Sequence, residues 1–195
     1  MNDKALPLNY LCIPSVVTLC TVLGLALLVT DLAAVNYTLV FAQESNETMS
    51  LYSNPGANFE INYPSSWEER EFPAAENSSI IEFLGPSTGV EPRTPSVNVF
   101  IFPAGNQSVE QAVNEVIDEL EDIQVNSTTM KLNELNVTAR VLEYMVTTAH
   151  QEFHKFQLWI ERPQNTYVIT YTNSPDKYSE YLPQFMQMIT TIKIA

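Results

Sequence analysis

Cysteine is nearly absent from this chain: Cys12 and Cys20 are its two, and both sit in the long apolar run near the start. Beyond that run there is no thiol for catalysis, metal binding or a disulfide. Leu11 and Leu19 precede the two cysteines where a lipid-anchoring motif needs a small residue, so lipid attachment is excluded as well. Histidine is as scarce, with His150 and His154 alone, and glycine numbers five. No Gly-rich phosphate loop, G-x-S-x-G elbow, H-E-x-x-H pair or C-x-x-C pair occurs. The sequence therefore offers no catalytic motif and no resident cofactor, and the expectation is a non-enzymatic protein.

Basic residues are also few, nine against 23 acidic ones, for a net charge of −14. Setting aside Asp3, Asp31 and Lys4 leaves 21 acidic and 8 basic residues after Ala42, a net of −13. Such a surface repels nucleic acid and anionic headgroups and favours cations or basic partners.

The long hydrophobic run comes first in the chain. Leu11–Thr30 carries no charge over 20 residues, about the length that crosses a bilayer core. A second apolar patch, Leu32–Ala42, ends in Val40-Phe41-Ala42-Gln43, which suits a signal-peptidase cut after Ala42. Residues 1–42 therefore read as a signal peptide or as a retained transmembrane anchor. Either way the remainder is exported, to the cell surface or beyond, with membrane contact through the leader if it stays. Residues 43–50 read as a polar linker and 51–195 as the folded domain. N-x-[ST] triplets at Asn46, Asn77, Asn106, Asn126 and Asn136 fit a glycosylated surface domain.

Within the domain, Phe59, Ile61 and Tyr63 alternate with Asn58, Glu60 and Asn62, a half-buried strand stopped at Pro64. Trp67, just past that strand, reads as a plug at the mouth of the core and opens a short strand to Glu71. Ser79–Leu84 and Ser96–Phe102 read as strands around a Pro/Gly-rich loop, Gly85–Pro95. Ser108 and Gln111 form a capping box, and Val109, Val113, Val116, Ile117 and Leu120 share the apolar face of the helix that follows. Its other face is acidic, and carboxylates near its C-terminal end oppose the helix dipole. Asn126–Leu132 reads as a strand, and Asn133–Asn136 as a turn.

Ala139–Thr147 is apolar on both faces, which predicts a central strand covered on both sides. Phe153–Glu161 and Thr166–Thr172 follow as strands. A closing helix is expected from Ser174 as cap and Pro175 as first residue, through Pro183, where it kinks or restarts, to Ile194.

Candidate binding positions are few. His150, Glu152 and His154 would share a face of an extended strand, its ends roughly 13 Å apart by strand rise, too far for both imidazoles to hold one zinc unless the chain bends between them. The alternative is two surface histidines at a hairpin. Trp159, among Lys155, Gln157 and Glu161, reads as a core residue under the acidic helix, or else as a binding platform. The Gly85–Pro95 loop is long enough to be functional.

Tyr52 followed by Phe59-x-Ile61-x-Tyr63-Pro64-x-x-Trp67 resembles the opening of PsbP-like domains. Tyr167-Val-Ile-Thr-Tyr171, Tyr181-Leu-Pro-x-Phe185 and Met188-Ile189-Thr-Thr-Ile192-Lys193-Ile194 resemble their close. The resemblance implies an α+β fold, an antiparallel sheet of about six strands sandwiched by helices. The family's namesake is an extrinsic subunit of the photosynthetic oxygen-evolving complex that aids calcium and chloride retention. Leader and V-F-A-Q end look more like those of an archaeal surface protein. No functional residue carries over, because the matched positions are packing positions. The expected function is thus binding or stabilising a membrane-associated protein partner. The alternative is an extracytoplasmic small-molecule or metal-ion domain, calcium included.

Overall fold

The computed structural model describes residues 47–74, 78–86, 95–105, 107–148 and 151–195. The apolar leader lies outside these residues. Among the described residues no helix is long and apolar enough to cross a membrane.

The fold is α+β. Its main sheet has seven strands in the order β3-β4-β5-β9-β8-β7-β6, one more than expected. These are β3 (Glu68–Phe72), β4 (Ser79–Leu84), β5 (Ser96–Pro103), β6 (Val125–Leu132), β7 (Val137–Thr148), β8 (Gln151–Glu161) and β9 (Asn165–Asn173). Each neighbouring pair is antiparallel. A second sheet has the order β1-β2-β10, from β1 (Met49–Asn54), β2 (Phe59–Pro64) and β10 (Lys193–Ile194).

Alternation along the strands explains why both faces of the main sheet are covered. Ala139 and Val141, Phe156, Leu158 and Ile160, and Tyr167, Ile169 and Tyr171 face one side. There they meet helix α2 (Tyr178–Thr190) through Phe185, Met188 and Ile189, and the small sheet through Phe59 and Ile61. Leu142, Tyr144, Trp159 and Val168 face the other side, where Val109 and Val113 of helix α1 (Val109–Glu119) cover them. Helix α1 thereby carries the chain from β5, near one side of the sheet, to the edge strand β6.

The capping box forms as expected: the Ser108 hydroxyl accepts from Gln111 N–H at 3.3 Å, and the Gln111 amide oxygen accepts from Ser108 N–H at 3.0 Å. Ser108→Ala is expected to cost about 1 kcal/mol of unfolding free energy, read as a lower urea midpoint at unchanged slope. A loss below ~0.3 kcal/mol would mean the box contributes nothing.

Three expectations are corrected. Met49 and Ser50, read as linker, pair with Pro64 and Tyr63 as the start of β1. The closing helix starts at Tyr178, because buried Asn173 turns the chain first. Its Oδ1 accepts from Ser174 N–H at 2.9 Å and its amide donates to the Lys177 carbonyl at 3.1 Å. That helix then ends at Thr190, and Lys193–Ile194 returns to extended backbone against Glu60 and Phe59. Pro183 sits inside the continuous helix, at an exposed position.

Candidate functional site

Strands β6 and β7 do not end together. Their register closes at Val125 opposite Tyr144, yet β7 runs four residues further, to Thr148, paired only with β8 among the described residues. The residues that lead from α1 into β6 turn away at this point. They leave an open groove of about 680 Å³ between Asp122–Gln124 on one side and Glu143–Thr147 on the other, with Asn126, Glu152 and His154 completing it.

One wall of this groove is a polar cluster built by three elements. His154 Nε2 lies 3.0 Å from Glu143 Oε1 across the β7–β8 ladder. The Tyr178 hydroxyl donates to the same oxygen at 2.9 Å. Tyr178, from the first turn of α2, stacks its ring on the His154 imidazole at 3.5 Å between centroids and 14° between planes. Tyr178 is buried, whereas Glu143 and His154 keep about a fifth to a quarter of their side chains in solvent. The cluster can therefore orient the imidazole and hold a carboxylate at the groove wall. Met145, opposite His154 in register, is 45 % exposed beside it.

The positions singled out in the sequence separate clearly. His154 reaches the groove and Glu152 shares its face. His150 falls outside the described residues, so the two-histidine arrangement is not placed. Among the described residues, no group of three His, Cys, Asp or Glu side chains is arranged to hold a metal ion. Trp159 is 8 % exposed and packs under the acidic helix, which removes it as a platform. Trp67 is a core residue, 5 % exposed.

Most of the Gly85–Pro95 loop, residues 87–94, is likewise outside the description, but its base is pinned. Gly85 N–H donates to the Pro95 carbonyl at 2.8 Å, and a Cβ on Gly85 would stand 2.5 Å from Pro95 Cγ. Of the glycosylation sites, Asn46, Asn77 and Asn106 fall outside the described residues. Asn126 is exposed at the groove, and Asn136 is exposed at φ 50° in the β6–β7 turn.

Sequence reasoning missed Glu143, Tyr178 and Asp122 as site residues. The available signal was alternation: Glu143 is the one charged residue on the otherwise apolar Ala139–Val141–Met145 face of β7.

The fold is PsbP-like. No family model and no curated protein matches the chain, and its likeness to known proteins rests on solved structures. Cyanobacterial PsbP (CyanoP) of Synechocystis aligns over 79 % of this chain and 96 % of its own, with TM-score 0.56 and 11 % identity. LpqN of Mycobacterium tuberculosis, involved in cell envelope biogenesis, aligns over 76 % of this chain and 90 % of its own, with TM-score 0.52 and 12 % identity. A Bacteroides thetaiotaomicron protein aligns over 74 % of this chain at TM-score 0.49 and 16 % identity; the chain spans about half, 48 %, of that protein's length.

Proposed function

We propose that this is a non-enzymatic, exported domain that binds a membrane-associated protein partner through the groove at the β7 end of the sheet. The observation that carries the reading is the groove itself. It is open, it is bordered by exposed Met145 and a fixed polar cluster, and it lies at one end of a sheet whose two faces are already filled by helices and the small sheet. The fold shared with CyanoP and with the envelope-biogenesis protein LpqN supports an extracytoplasmic setting, as do the apolar leader and the acidic surface. A glycan on Asn126 would stand at the groove and one on Asn136 at the far end of the same hairpin.

The test is site-specific photo-cross-linking on intact cells. A photoreactive residue at Met145 should yield a discrete membrane-protein adduct, and the same residue at exposed Glu69, on the opposite edge strand, should not. Equal adducts from both positions, or none from Met145, would overturn the reading.

A further inference from the structure

The open end of β7 is a row of main-chain groups as well as a groove wall. From Met145 to Thr148 one side of the strand is bonded to β8, and the other has no partner strand among the described residues. Alternate residues of a strand direct both N–H and C=O to the same side, so part of this stretch aims donors and acceptors into the groove. An unpaired edge is a template for another strand unless something blocks it.

The other edges of the main sheet are guarded. Edge strand β3 carries Glu68, Glu69, Arg70 and Glu71, and edge strand β6 presents exposed Asn126, Ser127, Thr129 and Lys131. The β7 end presents instead Met145, one of two exposed large hydrophobics among the described residues.

Charge around the edge has one sign. Asp122, Glu143 and Glu152 line the groove, and no Lys or Arg among the described residues does; His154 is held against Glu143. The C-terminal end of α1, with no basic residue in its last turn, adds the negative end of its dipole on the same side. The two faces of an added strand would also differ. On the α2 side it would run beside Met145 and Thr147, with Glu152 directly across from Thr147. Two strand spacings, about 10 Å, are within the combined reach of a lysine and a glutamate. On the α1 side it would meet half-buried Ile123 and Val146.

From this geometry, and resting on the partner-binding reading above, we propose that Met145–Thr148 accepts an extended segment of the partner as an added β-strand. That segment alternates basic residues, facing Glu152, with apolar residues facing Ile123 and Val146. Main-chain bonds supply the affinity, and the alternation supplies the choice of partner.

The probe is an end-capped, fluorescently labelled heptapeptide alternating lysine and valine, titrated by anisotropy against the full chain in mild detergent. Saturable binding that weakens with salt is expected, at least tenfold tighter than for the glutamate–valine counterpart or for a peptide of the same composition in blocks. The double variant Asp122→Lys/Glu152→Lys changes only exposed positions and should lose tenfold or more. N-methylation of one alternate set of peptide amides should abolish binding, and methylation of the other set should be tolerated. Hydrogen exchange should slow at alternate amides within Met145–Thr148. No binding, unchanged binding to the double variant, or indifference to which amides are methylated would overturn strand addition. A persisting Met145 adduct alongside any of these would leave the partner-binding reading in place; loss of both would remove both.

Discussion

Truncating Tyr171 to alanine is expected to lower the unfolding free energy by about 3–5 kcal/mol, read from the shift in urea midpoint. Tyr171 is fully buried at the centre of the sheet's α2 face. Its ring stacks on Phe185 at 5.1 Å and 15°, and meets Tyr178 at 5.1 Å and 37°. Its hydroxyl donates to the Tyr178 carbonyl at 2.8 Å and accepts from the Asn173 amide at 3.0 Å. One residue thus ties β9, the turn after it and the first turn of α2, and through Tyr178 it sets the polar wall of the groove. Tyr171→Phe separates the two contributions. The ring stays, the Tyr178 carbonyl loses its donor, and the cost should be about 1–3 kcal/mol. Equal losses in the two variants would assign the whole effect to the hydroxyl and contradict the packing argument.

The same residue sets a pH dependence. Burial pushes the Tyr171 phenol well above its ordinary value of 10.0, as the charged form is poorly solvated there. Below pH 10 the group is neutral in both folded and unfolded chains, and its contribution is fully present. As pH rises past 10 the unfolded chain releases this proton first, so folding stability falls with pH until the folded-state value is passed. Tyr52 behaves alike, its phenol pushed up by burial and then by its 2.6 Å hydrogen bond to Glu71. Stability measured between pH 9 and 11 should therefore drop, and less steeply in Tyr171→Phe than in the parent. Identical slopes would refute the assignment.

Local signals proved legible where the forces are local. The bounds of β4, the Ser108–Gln111 capping box and the two-sided burial of β7 all follow from spacing within a few residues. β1 hid because its alternation is thin. Tyr52 is buried, but Leu51 points outward at 59 % exposed, Met49 is only half-buried at the strand's start, and Ser50, Ser53 and Asn54 are polar. β10 is two residues long and has meaning only beside β2, where Thr191 and Asn62 bond across 129 positions. Ser174-Pro175 carries a good helix start, yet Asn173 redirects those bonds into a turn; tertiary burial of one amide overrode a sound local pattern.

The candidate site was less legible still. His154 stood out as one of two histidines, but Tyr178 stacking on it and Glu143 across the ladder depend on where α2 lands. The groove exists because β7 outruns β6 by four residues, a difference in length that no single strand's sequence displays.

Trp159→Ala should test how the two halves of this arrangement depend on each other. Trp159 lies on the α1 face with Leu142, Tyr144 and Val168, and the helix seats Val109 and Val113 over them. Removing the indole leaves a cavity under an 11-residue helix, too short to persist without its packed face. The expected loss is about 3–5 kcal/mol, together with a decrease in far-UV helical signal. In the parent, both Trp159 and Trp67 should resist acrylamide quenching, since they are 8 % and 5 % exposed; strong quenching would place one of them at the surface. Because the residues after α1 form one wall of the groove, Trp159→Ala should also abolish the adduct at Met145. Tyr171→Phe, on the α2 face, should keep that adduct below pH 9. A Trp159→Ala variant that stays folded, helical and cross-linkable would show that α1 is dispensable to the groove.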